Sequence, residues 1–347
     1  MTPLRVASLL QHSNSCVDVS FTSGWRCRII LVTESIGRVL FTPPDGLREP
    51  RTWAIAPNGC VDARDTDGKL RAELFPNGVG TVTKSADERS IRIASDALRV
   101  DVRLEPFGLA WEQFDGKQWL VCCHDRPSYG YAAEKRSGQI NHWQARDQHD
   151  QYFGLGDKTG PLNKAWRRFR TRQLDALGYN GETSDPLYKH WPFFLGRRAD
   201  TGSTYGIYYD TLAESTFDFG QEFDNYHDFY RATEIADGDL DYYVIAGPDA
   251  ATALARYMRL IGGTAMPPRW SLGYANTAMA LADFPDAQAQ IRKFLALAER
   301  DQFPLSSFHF GSGYTSRGKQ RYVFTWNTDK FPDARGLLAA FKAADVR

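Results

Sequence analysis

The sequence predicts a mainly β protein: an N-terminal β-sandwich followed by the opening units of a β/α barrel. Three observations carry this. Apolar and polar residues alternate through about the first 145 positions, the period of half-buried strands. Strongly β-prone runs continue to about residue 248. Beyond that point the apolar spacing becomes helical, and a strand, a helix and a second strand follow within about 35 residues, the signature of a parallel β-α-β unit.

The alternation is clearest at Val17, Val19 and Phe21, then Trp25, Cys27 and Ile29, then Ile91 and Ile93, and Leu98, Val100, Val102 and Leu104. Turn signals interrupt it at Pro43-Pro44-Asp45-Gly46, Asp67-Gly68, Asn77-Gly78 and Asp115-Gly116. Asp115-Gly116, between Trp111/Phe114 and Trp119/Val121, predicts a hairpin. Many short strands at this spacing predict a sandwich. Tyr205 to Tyr209 and Asp241 to Ile245 read as further strands. Gly154-x-Gly156-x-x-x-Gly160 has the wrong spacing for a dinucleotide fingerprint, and no helical pattern follows it. Arg167, Arg168, Arg170 and Arg172 alternate in a strand-like run, which places several on one solvated face.

Asp249 is positioned to cap a helix containing Leu254, Tyr257, Met258 and Ile261, stopped by Gly262-Gly263 and by Pro267-Pro268. This gives a sandwich domain over 1–248, a connecting helix and linker over 249–269, and the start of a barrel over 270–347. In the barrel segment, Trp270 to Tyr274 reads as the first strand. Ala287, Ile291, Phe294, Leu295 and Ala298 share a helix face, with Asp286 or Asp283 as cap. Leu305 to Phe310 reads as the second strand. A second helix follows Asp333, with Leu337, Leu338, Phe341 and Ala344 on one face.

Composition narrows the function. The 347 residues contain 42 Lys plus Arg and 42 Asp plus Glu, so the basic excess usual for nucleic-acid binders is absent. No stretch approaches the ~18 apolar residues of a membrane span, and no secretory leader pattern opens the chain. The five cysteines, Cys16, Cys27, Cys60, Cys122 and Cys123, form no C-x-x-C pair; they suit buried free thiols better than a disulfide framework or a zinc site. The expectation is a cytoplasmic protein. Aromatic residues make up 13% of the chain, which suits both sheet cores and sugar-stacking surfaces.

Several motifs in order resemble glycoside hydrolase family 31, the α-glucosidase and α-xylosidase family. They are Tyr152-Phe153-Gly154-Leu155-Gly156 with Leu162-Asn163, Asp185-Pro186-Leu187-Tyr188-Lys189 with Pro192-Phe193, and Asp239-Leu240-Asp241-Tyr242-Tyr243 with Gly247-Pro248. Trp270-Ser271-Leu272-Gly273-Tyr274 resembles the first barrel strand, and Phe324-Thr325-Trp326 with Phe331-Pro332-Asp333 the second β-α segment. The resemblance implies a galactose-mutarotase-like sandwich and a (β/α)8 catalytic barrel. It implies a retaining α-glycosidase acting on O-glycosyl bonds of oligosaccharides, with two catalytic aspartates and no metal or cofactor.

Residues 270–347 are far fewer than the about 200 that a closed (β/α)8 barrel needs. The expectation is therefore an incomplete barrel, with the nucleophile and acid/base beyond Arg347, and no catalytic residue assignable here. Asp283, Asp286 and Asp329 read as capping or solvated groups. For substrate binding the resemblance implies Asp175, in a loop Gln173 to Tyr179 that reaches toward the sugar in the family; the alternative is a turn aspartate. Tyr274 and Asn276 at the first strand's end join it. Family α-glucosidases carry an aspartate at the end of the second strand. Here Ser307 to Tyr314 has none, leaving His309 and Tyr314 as substrate contacts or as core and loop residues. α-Galactosidase, α-xylosidase or transglycosylase specificity, or a non-catalytic carbohydrate-binding module, stay open, and the sequence does not set the oligomeric state.

Overall fold

The structure, a computed structural model, describes all residues except 1, 14, 56–68, 86–88, 134–137, 224–225, 227, 238 and 278. It divides into two compact units, Met1–Gly263 and Thr264–Arg347.

The first unit is a sandwich of two antiparallel sheets. One runs in the order Arg168–Thr171, Ser215–Asp218, Tyr230–Ile235, Ile140–Ala145, Trp119–Asp125, Phe107–Phe114, Leu98–Leu104, Ser90–Ala94, Thr81–Lys84. The other runs Gln151–Gly156, His190–Arg197, Thr204–Tyr209, Leu240–Gly247, Ile36–Thr42, Arg26–Thr33, Cys16–Phe21, Val6–Ser13. The alternating residues close the core between them: Val17, Val19, Cys27, Ile29 and Val39 from one sheet meet Ile91, Ile93, Val100, Val102 and Trp111 from the other. Gly37 passes beneath the Trp111 ring, where any side chain would collide with it. Gly116 takes φ +95° in the expected hairpin, and the Asp115 carboxylate accepts from the amides of Lys117 and Gln118. The Pro43–Gly46 turn closes through Gly46 N–H to the Pro43 carbonyl. Asp67-Gly68 and Cys60 lie outside the described residues. The other four cysteines are buried and free, their thiols pushed up chiefly by burial.

A buried charge network explains the Asp239-Leu240-Asp241 motif. Asp241 accepts from Arg38 Nε at 2.9 Å and Nη2 at 2.7 Å, and Asp239 pairs with Arg71 at 3.0 Å. Asp239 also accepts from the amides of Arg48 and Glu49. The network ties the segment before Leu74 to the inner strands.

The helix Ala250–Ile261 packs on the strands Thr204–Tyr209 and Leu240–Gly247 of the same unit. Asp249 caps it, accepting from Thr252 N–H, and Gly262 ends it at φ +86°. Its buried face is Ala253, Tyr257 and Leu260, with Phe193 stacked on Tyr257 at 3.8 Å. Leu254, expected on that face, is exposed instead.

In the second unit the strands Tyr274–Thr277 and Leu305–His309 pair in parallel, as the β-α-β reading requires, with Ala287–Arg300 between them. The first strand starts later than expected. Arg269–Leu272 is a 3₁₀ turn in which Ser271 and Gly273 N–H bond back to Pro268 and Trp270 carbonyls. Tyr274 therefore opens the strand rather than closing it. An apolar run alone does not distinguish strand from turn. Asp286 stands at the helix start, but its carboxylate accepts from Gln290 Nε2, not from the first-turn amides. Asp283 pairs with Arg321 instead of capping. Asp333 does cap Ala334–Ala343 through Gly336 N–H. On that helix Leu337 and Phe341 are buried, whereas Leu338, expected beside them, is exposed. Arg347 exchanges backbone hydrogen bonds with Ser306 and Phe308, the pattern of a parallel ladder.

Candidate functional site: the Asp175 loop and the two parallel strand ends

Asp175 lies in an exposed loop between the strands Arg168–Thr171 and His190–Arg197. Its carboxylate accepts from the Tyr188 hydroxyl at 2.6 Å, which pushes the Tyr188 pKa up. The loop is anchored from beneath. Lys158 Nζ, fully buried, reaches Asp185 at 2.9 Å and the Arg170 carbonyl, and the Asp185 carboxylate also accepts from Arg170 N–H. His190 Nε2 lies 2.9 Å from the Arg172 carbonyl, so it must be the protonated nitrogen, and Nδ1 is left to accept from Lys158. Burial first, then the Lys158 charge, lowers the His190 pKa. Burial likewise lowers that of Lys158 against the pull of Asp185. A partly buried, charge-assisted network of this kind fixes a loop that has little secondary structure of its own.

The loop presents exposed apolar side chains, Leu174, Leu177, Tyr179 and Tyr188, and Trp191 is exposed in the strand that follows it. Next to the loop a cleft of about 380 Å³ is lined by Arg172, Gln173, His190, Leu212 and Glu214, among others. The arginine run behaves as expected in part. Arg168 and Arg170 are exposed and alternate with buried Phe169. Arg168 pairs with Asp218 and Glu222. Arg167 instead donates to the Thr159 and Glu182 carbonyls.

In the second unit, Tyr274 is half exposed at the start of its strand, edge to face with Phe303. Asn276 registers with Phe308, and Thr277 with His309. Paired residues of a ladder share a face, so Asn276 lies on the face of buried Phe308 and His309 on the opposite one. His309 is exposed at the strand's end. The Tyr314 ring packs between Phe310 and Trp326, and its carbonyl accepts from Asn327 N–H. Asp329 is exposed and its N–H donates to the Asn327 side chain. At and past the strand ends lie the His309 imidazole, an aromatic cluster and the Asp283 carboxylate, which Arg321 holds beside Gly313 and Ser312; the second strand itself, Leu305–His309, carries no carboxylate.

The structure brings Asp175 together with Tyr188 of the Asp185–Lys189 motif. Lys158 and His190, which hold the loop with Asp185 of that motif, carry no sequence signal, because their partners lie up to 32 residues away. Among the described residues no cluster could hold a metal ion, and no helix is long and apolar enough to cross a membrane.

Two family profiles match the chain in succession. Residues 26–218 match the glycosyl hydrolase 31 N-terminal galactose mutarotase-like domain, and residues 264–347 match the glycosyl hydrolases family 31 TIM-barrel domain. Among curated relatives, α-glucosidase 2 of Bacillus thermoamyloliquefaciens is 29% identical over 75% of this chain and 31% of its own length. An α-xylosidase of Lactiplantibacillus pentosus is 29% identical over 54% of this chain and 23% of its own. The chain thus spans less than a third of the length of these relatives. Among solved structures, a Flavobacterium johnsoniae dextranase complexed with isomaltotriose superposes over 100% of this chain and 38% of its own, with a TM-score of 0.78 at 22% identity. At that identity the likeness is one of fold.

Proposed function

The chain belongs to glycoside hydrolase family 31, and from that premise we propose that it supplies the sandwich and first two β/α units of a retaining α-glycosidase. That enzyme hydrolyses O-glycosyl bonds of α-linked oligosaccharides, with α-glucosidase-like specificity as the leading reading. The observation that carries the proposal is the parallel strand pair Tyr274–Thr277 and Leu305–His309, preceded by a sandwich whose pinned loop presents Asp175. In such barrels the chemistry sits at the C-terminal ends of strands. Retaining enzymes use two carboxylates about 5 Å apart there. The two strands present end in Thr277 and His309, so they contribute binding groups and not the catalytic pair. Asp175, Tyr274, Asn276, His309 and Tyr314 are the proposed sugar contacts of the whole enzyme. The lack of a carboxylate at the end of the second strand favours keeping α-xylosidase, α-galactosidase or transglycosylase activity as the alternative. We also place the protein in the reducing cytoplasm, on the four buried free thiols.

The test is turnover of aryl α-glucoside, α-xyloside and α-galactoside by the purified 347-residue chain. No turnover is expected, since losing either member of a carboxylate pair removes many orders of magnitude of rate. Turnover that is abolished by changing one of this chain's own carboxylates would overturn the placement of the catalytic pair.

A further inference from the structure

A cleft of about 400 Å³ opens on the outer face of the first sheet, away from the Asp175 loop in its residues and its construction. Its lining includes His124, Arg126, Ser128, Ala145, Asp228 and Phe229. Three neighbouring strands build its floor. His124 stands in register with Ala145, and Ala145 with Tyr230. The adjacent residues Asp125, Gln144 and Arg231 are buried in the sandwich, so by strand alternation His124, Ala145 and Tyr230 face outward. Ala145 adds only a methyl group at the centre, and that leaves the hollow.

Arg126 distinguishes this hollow from a surface dimple. It is 5% exposed, with its guanidinium carbon 4.4 Å from the centre of the Tyr230 ring and 5.2 Å from that of Tyr129. The rings hold the guanidinium plane, yet Nη2 has no hydrogen-bond partner in the protein. A buried donor without an acceptor, on a side chain that lines a cleft, favours a ligand that brings an acceptor to that guanidinium. The cleft also carries the Asp228 carboxylate as an acceptor, the Ser128 hydroxyl as both donor and acceptor, and the half-exposed Phe229 ring braced edge-on by Trp166 at 5.4 Å.

This set selects a ligand class. A free anion would meet Asp228, and a cation would meet Arg126. A neutral polyhydroxyl ring offers acceptors to Arg126, donors to Asp228 and an apolar C–H face to Phe229. We propose that this cleft is a secondary, non-catalytic binding site for a neutral sugar unit of a glycan, distinct from the Asp175 loop.

The test is a ligand-observed NMR titration of the 347-residue chain with maltotriose, run in the Asp175→Ala background so that loss of the loop contact does not enter. Saturable binding should persist in Asp175→Ala. It should weaken about tenfold or more when Phe229→Ala or Ala145→Trp is added. Ala145→Trp keeps every polar group and fills the hollow from an outward-facing position; circular dichroism unchanged from the parent checks that the sheet is intact. Binding undiminished in both double variants would overturn the proposal. So would displacement of maltotriose by acetate at equal concentration, which would mark an anion site. If binding vanishes with Asp175→Ala alone, the cleft proposal falls while the reading of the loop stands.

Discussion

The sandwich and the two β/α units bury their apolar faces to different degrees. In the sandwich each sheet covers the other, and even the buried arginines Arg38 and Arg71 meet Asp239 and Asp241. In the second unit the helices cover one face of a two-stranded sheet around Ile291, Leu295, Phe308, Leu337 and Phe341. Both units leave large apolar side chains exposed outside their clusters, Leu272 at 73% and Phe324 at 95% in the second and Leu162 at 76% and Leu177 at 81% in loops of the first. An antiparallel sandwich closes on itself with two layers. Parallel β/α units share an interior only when enough of them join around one axis. The difference is one of architecture rather than of side-chain quality, since both units bury well-spaced aliphatic and aromatic residues.

The comparison breaks most visibly at the sandwich's charge network. Asp241→Ala leaves Arg38 and Arg71 buried with one carboxylate fewer, and removing one partner of such a set costs about 3–5 kcal/mol. Chemical denaturation followed by the near-ultraviolet signal of buried aromatics should record that loss. A cost near zero would mean that the network is wetter than its fully buried carboxylate implies.

The second unit should be the less tolerant of an equal cut. Leu337→Ala removes a fully buried side chain from its single small cluster, a change that costs roughly 2–4 kcal/mol. The expected result is loss of hydrogen-exchange protection across Ala287–Arg300, the helix that shares the cluster. Ile207→Ala in the sandwich core should cost a similar amount and leave its sheets protected. Equal retention of protection in both variants would show that the second unit has more margin than its single small cluster suggests.

The same contrast governs how much the sequence reveals. Period-two spacing placed the sandwich strands because each has one face on the core, and Val17, Val19, Ile91, Ile93, Val100 and Val102 are all inside. The parallel unit was legible in kind but less so in detail. Trp270 and Leu272 looked like strand residues because they are apolar, yet no described layer covers both of their faces, and the chain turns there. Leu254 and Leu338 failed for a related reason: helical spacing fits more than one stripe, and burial selects among them. In the site, the pairing of Asp175 with Tyr188 depends on loop geometry. Lys158 and His190 are brought beneath it only by the folding of the sheet.

The smallest expected effect lies in that loop and concerns pH. His190 is neutral in the fold, donating from Nε2 to the Arg172 carbonyl and accepting at Nδ1 from Lys158. Protonation would place a second donor and a positive charge against the Lys158 ammonium. The His190 pKa is accordingly lowered from its ordinary value, by burial first and by Lys158 second. A group whose folded pKa is depressed binds fewer protons in the folded state, so its contribution to stability is present above the unfolded pKa of about 6.5 and is lost as pH falls through the folded value. The loop around Asp175 should therefore loosen in mild acid while the sandwich core does not. NMR titration of the His190 ring should give a midpoint below 6.5, and amide exchange over 173–189 should rise in the same window. In Lys158→Met the midpoint should move back up, because the neighbouring charge is gone while a long apolar stem remains. A wild-type midpoint at or above 6.5, or no change in Lys158→Met, would mean that the lysine does not set the charge of His190.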